Sequence, residues 1–156
     1  MKEKLIAKLL LIVIAVAIIS AFIIYTNLSQ YQTPSALNTT IMEVNSSVLN
    51  LEIARSEKEL SDGLMFRTSM DNNKGMIFIF QDEQIRTFWM KNTLISLDII
   101  YLDKEFNVVK IYSNTKTNQI KEIYSSLKPS QYAIELNGGR SAELGITEGL
   151  KLNINL

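Results

Sequence analysis

Residues 76–102 read MIFIFQDEQIRTFWMKNTLISLDIIYL. The first five, 76–80, are an unbroken apolar run rich in aromatic and β-branched side chains, the composition of a buried strand. Gln81-Asp82-Glu83-Gln84 is polar and reads as a hairpin connection. Residues 85–90 predict the next strand, with Phe88 and Met90 on one face and Thr87 and Trp89 on the other. Residues 97–102 predict a third strand, and Asp103-Lys104-Glu105 turns the chain into a hairpin partner over 106–112.

The pattern continues outward from this stretch. Residues 48–54 alternate apolar and polar, which predicts a half-buried strand. Ser56 with Glu59 three residues later has the capping-box spacing, so a short helix starts there and Gly63 ends it. Asp71-Asn72-Asn73-Lys74-Gly75 is a turn. Residues 113–130 are polar and predict a loop, with a short helical piece around Glu122. Residues 131–137 predict a strand. Gly138-Gly139 opens a turn, and 140–144 reads as a helical turn stopped by Gly145. Leu150, Leu152, Ile154 and Leu156 alternate with polar residues, which gives a last strand. The expected fold class is mainly β (α+β): a small barrel-like mixed β-sheet of about seven strands and two short helices, preceded by one transmembrane helix.

That helix is read from residues 1–25. Residues 9–25 are apolar except for Ser20. Counted from Leu5, the segment spans about 31 Å at ~1.5 Å per residue, close to a hydrocarbon thickness of ~30 Å. Lys8 lies where its stem can snorkel to the headgroups, and Tyr25 closes the run as an interface aromatic. Lys2, Lys4 and Lys8 precede the run, and the first basic residue after it is Arg55. The positive-inside rule then places the N-terminus in the cytoplasm and the C-terminal domain outside a cell membrane crossed once. A cleaved signal peptide is the alternative, but its apolar region is usually ~7–15 residues and no cleavage triplet follows here. Residues 26–47 carry one charge, Glu43, and are rich in Ser, Thr, Asn and Gln, so they read as a flexible linker. Asn27, Asn38 and Asn45 head glycosylation triplets that such a composition also produces by chance. Residues 48–156 remain as one outer domain.

Composition excludes several chemistries. The chain has no cysteine and no histidine. Disulfides, thiolate or serine–histidine nucleophiles and ordinary zinc sites therefore have no ligands or bases here. Formal net charge is zero and there is no basic stripe, so no nucleic-acid partner is expected. No metal or other cofactor is expected either. No glycine pattern matches a phosphate loop, and the glycines read as turn and cap residues.

Several motifs stand in a recognisable order: Gly63-Leu64-Met65 with Arg67; Gly75-Met76-Ile77-Phe78 with Phe80; Phe88-Trp89-Met90-Lys91-Asn92-Thr93; Leu97-Asp98; and Glu135-Leu136-Asn137-Gly138-Gly139. Over about residues 48–156 the chain resembles the bacterial and archaeal family known as domain of unknown function 192. The resemblance implies a small barrel-like β domain, often behind a signal or anchor segment, and no settled activity. Three positions depart from that family's pattern. Ser96 stands where proline is expected, Lys151 where Gly-Asp is common after Gly149-Leu150, and Asp62 where a basic residue is frequent. The last two weigh against an anion site there.

The candidate site gathers Arg67, Trp89, Lys91, Asn92, Thr93, Asp98, Glu135 and Asn137 around one end of the barrel. Trp89 offers a flat stacking surface, and the polar residues offer hydrogen bonds. Asp98 and Glu135 interrupt apolar runs. Either they point outward, or they are held by structural pairs such as Arg67–Asp98, or they serve a ligand. Two functional readings follow, beside a third in which the motif residues only define the fold and function resides in a partner surface. The first is a non-enzymatic module binding an envelope polymer, a small ligand or a protein partner at the outer membrane face. The second is a glycan hydrolase using Asp98 and Glu135, which needs the two carboxyls ~5–9.5 Å apart. Met65, Met76 and Met90 read as core, with a soft-metal thioether site as the sharper alternative.

Overall fold

The computed structural model describes residues 2–29 and 37–156. The chain divides into two units, Met1–Ala36 and Leu37–Leu156. In the first, α1 (Lys2–Ser29) is one continuous helix. Its side chains are described without a break over 12–24, and the apolar ones there, from Ile12 to Ile24, are exposed. Among the described residues, no helix is long and apolar enough to cross a membrane. The side chain of Tyr25 and the middle of the expected linker, with Pro34, lie outside the described residues.

The second unit is a seven-stranded mixed sheet. Its strands are β1 (Thr39–Val44), β2 (Ser47–Ala54), β3 (Lys74–Met90), β4 (Leu97–Leu102), β5 (Val108–Tyr112), β6 (Gln119–Asn137) and β7 (Asn153–Ile154). They lie in the order β5-β4-β6-β3-β2-β1-β7, and only β2 and β3 run parallel. The crossover between that pair carries α2 (Glu57–Asp62), with the capping box of Ser56 and Glu59 formed and Gly63 as its C-cap. The turn after β6 carries α3 (Arg140–Glu143).

Four expectations are corrected. The linker does not reach residue 47, because β1 begins at Thr39 and turns Thr40, Met42 and Val44 inward. Residues 81–84 are not a hairpin: β3 runs through them, with a register shift against β6 between Ile79/Gln84 and another between Ile85/Thr87. Residues 119–130 are not a loop or a helical piece but the first half of β6. The barrel does not close. Where β5 and β7 approach, one antiparallel bridge joins Asn107 to Lys151, and Val108 N donates to Leu150 O at 2.8 Å, with no continuous ladder. The last strand is correspondingly short, and Leu156 is exposed.

The sheet has a core on each face. Met42, Leu49, Leu51, Ile77, Ile100, Ile134, Leu136 and Leu152 fill one side, joined by Leu144 and Ile146 after α3. Leu64, Met76, Phe78, Met90, Ile99, Tyr101 and Ala133 form a second cluster on the opposite side of β3, β4 and β6. Removing such side chains from water contributes roughly 1.5–3 kcal/mol each, so both faces stabilise the sheet. The second face positions the site.

Candidate functional site

Strand register sets the site. Glu52 on β2 lies opposite Met76 on β3, Met76 opposite Glu135 on β6, and Glu135 opposite Ile99 on β4. Directly opposed residues share a face, so this row crosses the second core. The next row is Ala54, Phe78, Ala133 and Tyr101. The two alanines leave room around Phe78, whose ring meets Phe88 edge-on at 4.8 Å. Phe88 in turn meets Tyr101 at 5.6 Å.

Above these rows the end of α2 and the loop after it enclose a cleft of about 140 Å³. Its walls are Leu64, Met65, Phe78, Phe80, Phe88 and Trp89, and its polar lining includes Asp62, Thr87, Thr93 and Glu135. Glu135 is only 5% exposed. Among the described residues every wholly enclosed polar side-chain atom has a hydrogen-bond partner. The Glu135 carboxyl has none, so its oxygens open onto the cleft. Burial pushes its pKa up to about 8, against the pull of the Arg67 guanidinium, which favours the charged form. Gly63 lets the chain pass close to the carboxyl. Its φ is +48°, and a Cβ there would lie 3.1 Å from Phe78 Cζ and 3.7 Å from Glu135 Oε2.

Of the eight residues expected together, Trp89, Thr93 and Glu135 line the cleft. Trp89 is 45% exposed, and Lys91 Nζ sits 5.1 Å from its ring centroid at the rim. Thr93 is buried, and its hydroxyl donates to Lys91 O at 3.2 Å. Asn92 takes a left-handed turn (φ 55°), and its carbonyl accepts from Phe66 N at 2.8 Å, holding the loop over the cleft. Arg67 does not pair with Asp98. Its Nη1 and Nη2 donate to Glu52 Oε1 and Oε2, both at 2.6 Å.

Asp98 and Asn137 are elsewhere. In the β4–β6 ladder Asp98 faces Leu136 while Glu135 faces Ile99, so the two carboxyls point to opposite faces of the sheet. Asp98 is fully buried and accepts from Asn114 N, Gly139 N and Ser141 N, each at 2.8 Å, and from Ser141 Oγ at 2.6 Å. It organises the turn into α3 and has no capacity left for chemistry. The carboxylate-pair hydrolase is therefore not built here. Asn137 Nδ2 donates to Met70 O at 2.8 Å and to Asn72 Oδ1 at 3.0 Å, tying down the turn before β3. Met76 and Met90 are core, and Thr115 Oγ1 donates to Met90 Sδ.

The cleft's aromatic walls escaped the sequence reading. Phe78, Phe80 and Phe88 read as ordinary strand core, and only the pairing of β3 with β6 brings them to Glu135.

A family model described as domain of unknown function 192, "Uncharacterized ACR", matches residues 40–154. No curated protein matches the chain. Two solved structures share the fold. A Sinorhizobium meliloti 1021 protein described as a "putative transcription regulator" is 26% identical, with a TM-score of 0.73, over 78% of this chain and 98% of that one. A Novosphingobium aromaticivorans DSM 12444 protein of unknown function is 33% identical, with a TM-score of 0.72, over 78% of this chain and 89% of that one.

Proposed function

Because the chain belongs to the domain of unknown function 192 family, whose description assigns no chemistry, we propose its function from its own geometry: a membrane-tethered module whose outer domain binds a small ligand in the cleft over Glu135. The observation that carries this reading is the carboxyl itself. A buried carboxyl without a hydrogen bond costs stability, and folds retain such groups mainly where they act on something. An open cleft that combines aromatic and aliphatic walls with a few converging polar groups is the ordinary form of a small-molecule site. The lining Thr87 and Thr93 hydroxyls supply further polar contacts.

The tether is supported by α1, 28 residues long, about 42 Å of helix. Its apolar residues from Ile12 to Ile24 are exposed, as lipid-facing side chains are, and three lysines stand at its start. The arrangement would hold the domain at the outer face of the membrane.

Trp89 is the single tryptophan of the chain and lines the cleft, so its emission reports occupancy. The full-length protein in non-ionic detergent, titrated with small apolar and amphipathic compounds, is expected to show saturable changes in that emission. A bulkier Gly63→Val variant that remains folded should lose them. No saturable response to any compound, with the cleft intact, would falsify the ligand-site reading.

A further inference from the structure

We propose that this cleft takes a small organic cation, an alkylammonium or tetraalkylammonium group, with the Glu135 carboxylate as counter-charge and aromatic rings as walls. The inference rests on the ligand-site reading and names the chemistry of the ligand.

Charge comes first. The charged groups that line the cleft are Glu135 on β6 and Asp62 at the end of α2; beside its lining residues lie Arg67 with its partner Glu52 on β2, Arg86 on β3 and Lys91 after β3, and the Glu135 carboxylate acts on the Tyr101 phenol of β4. Arg67 donates to Glu52 through both terminal nitrogens, so that carboxylate already offsets its charge. Asp62 pairs with the exposed Lys58. The Tyr101 phenol is neutral, pushed up by burial, and donates to Tyr124 O at 2.8 Å. Lys91 is exposed at the rim over Trp89. Among the described residues, the ionisable group that lines the cleft with neither a hydrogen bond nor an ion pair is an acid, on which Arg67 acts only electrostatically, so the complementary ligand is a cation.

The walls fit the same chemistry. Phe78, Phe80, Phe88 and Trp89 surround the opening, and aromatic faces attract ammonium groups, more strongly as water is excluded. Two of these rings attract cations of the chain itself, Arg86 over Phe80 at 4.2 Å and Lys91 over Trp89 at 5.1 Å, which cover one face of each. Size agrees as well. A cavity of about 150 Å³ accommodates a benzene-sized group, and this cleft is about 140 Å³. Gly63 leaves the approach to Glu135 Oε2 open, where any side chain would begin to fill it.

Cation binding must expel the proton that burial keeps on Glu135. Affinity should therefore rise about tenfold per pH unit as pH approaches 8 and flatten above it. A ligand accepting a hydrogen bond from the protonated acid would show the reverse.

The test uses full-length protein in non-ionic detergent, with Trp89 emission as readout. Tetramethylammonium chloride and its uncharged isostere tert-butanol are titrated across the pH range. The cation should bind at least about tenfold more tightly than the alcohol above pH 8 and lose that advantage in acid. Glu135→Gln, with folding verified by its melting transition, should erase the advantage and the pH dependence while leaving alcohol binding in place. Equal affinity for the two probes, or cation binding that ignores pH or survives Glu135→Gln, overturns the cation inference and leaves a ligand site of other chemistry. Silence of Trp89 to both probes and to other compounds removes the ligand site altogether.

Discussion

A carboxyl set between Met76 and Ile99 loses most of its hydration, and the fold returns no hydrogen bond to replace it. The consequence for stability has a definite sign. Between the ordinary glutamate pKa near 4.5 and about 8, the folded chain holds the Glu135 proton and the unfolded chain does not. Stability from this group is therefore complete in acid and falls as pH rises through that window, by of order 1 kcal/mol per pH unit. Glu135→Gln keeps the shape without the charge. It should melt several degrees above the parent near pH 8 and alike near pH 5, as thermal denaturation at the two pH values will show; a constant difference would mean that the acid is not buried. Asp98 is the opposite case, a buried carboxylate with four donors. Asp98→Ala should cost about 3–5 kcal/mol in urea denaturation, since it strands three backbone amides. In the fraction that folds, Trp89 should still respond to ligand, because Asp98 lies on the other face. Both acids interrupt apolar runs in the sequence. What separates them is register, which assigns one to the turn into α3 and the other to the cleft.

Elements were legible where a local signal sufficed. The Ser56/Glu59 capping box, the alternation in β2, the apolar run of β4 and the glycine stops at Gly63 and Gly145 all specify structure within a few residues. Ser56→Ala should cost about 1 kcal/mol and loosen the start of α2, the end away from the cleft, visible as faster amide exchange over 57–60. The long ribbon of β3 and β6 was not legible. Gln81–Gln84 have the composition of a turn, yet Arg86 reaches back to Asp82 and the strand continues through a bulge. In β6, Pro129 and a run of serines and lysines hide a strand whose outer half has no apolar alternation to reveal it. β1 shows the same weakness, its Thr40, Met42 and Val44 stripe masked by a polar neighbourhood. Packing between elements is tight at Gly75, where a Cβ would lie 2.6 Å from Glu135 O and from Leu136 Cδ2. Gly75→Ala should destabilise the domain by about 1–3 kcal/mol, measured as a lower denaturation midpoint, because β3 would have to move away from β6.

At the scale of the molecule, hydropathy and charge separate the first helix from the β domain, and the family motifs mark the domain. The eight polar residues those motifs single out do not form one cluster, because they sit on both faces of the sheet. The reading of lysines inside and domain outside predicts that protease added to intact cells removes the β domain and spares residues near the N-terminus; full protection would reverse that orientation. The fold builds an open cleft around an acid that receives no hydrogen bond. The most direct test is a pH titration of the Glu135 side-chain carboxyl by ¹³C NMR in the full-length protein, with and without tetramethylammonium. A midpoint near pH 8 that moves down when the cation is added is the expected result. A midpoint in the ordinary carboxylate range, or one the cation leaves in place, would contradict it.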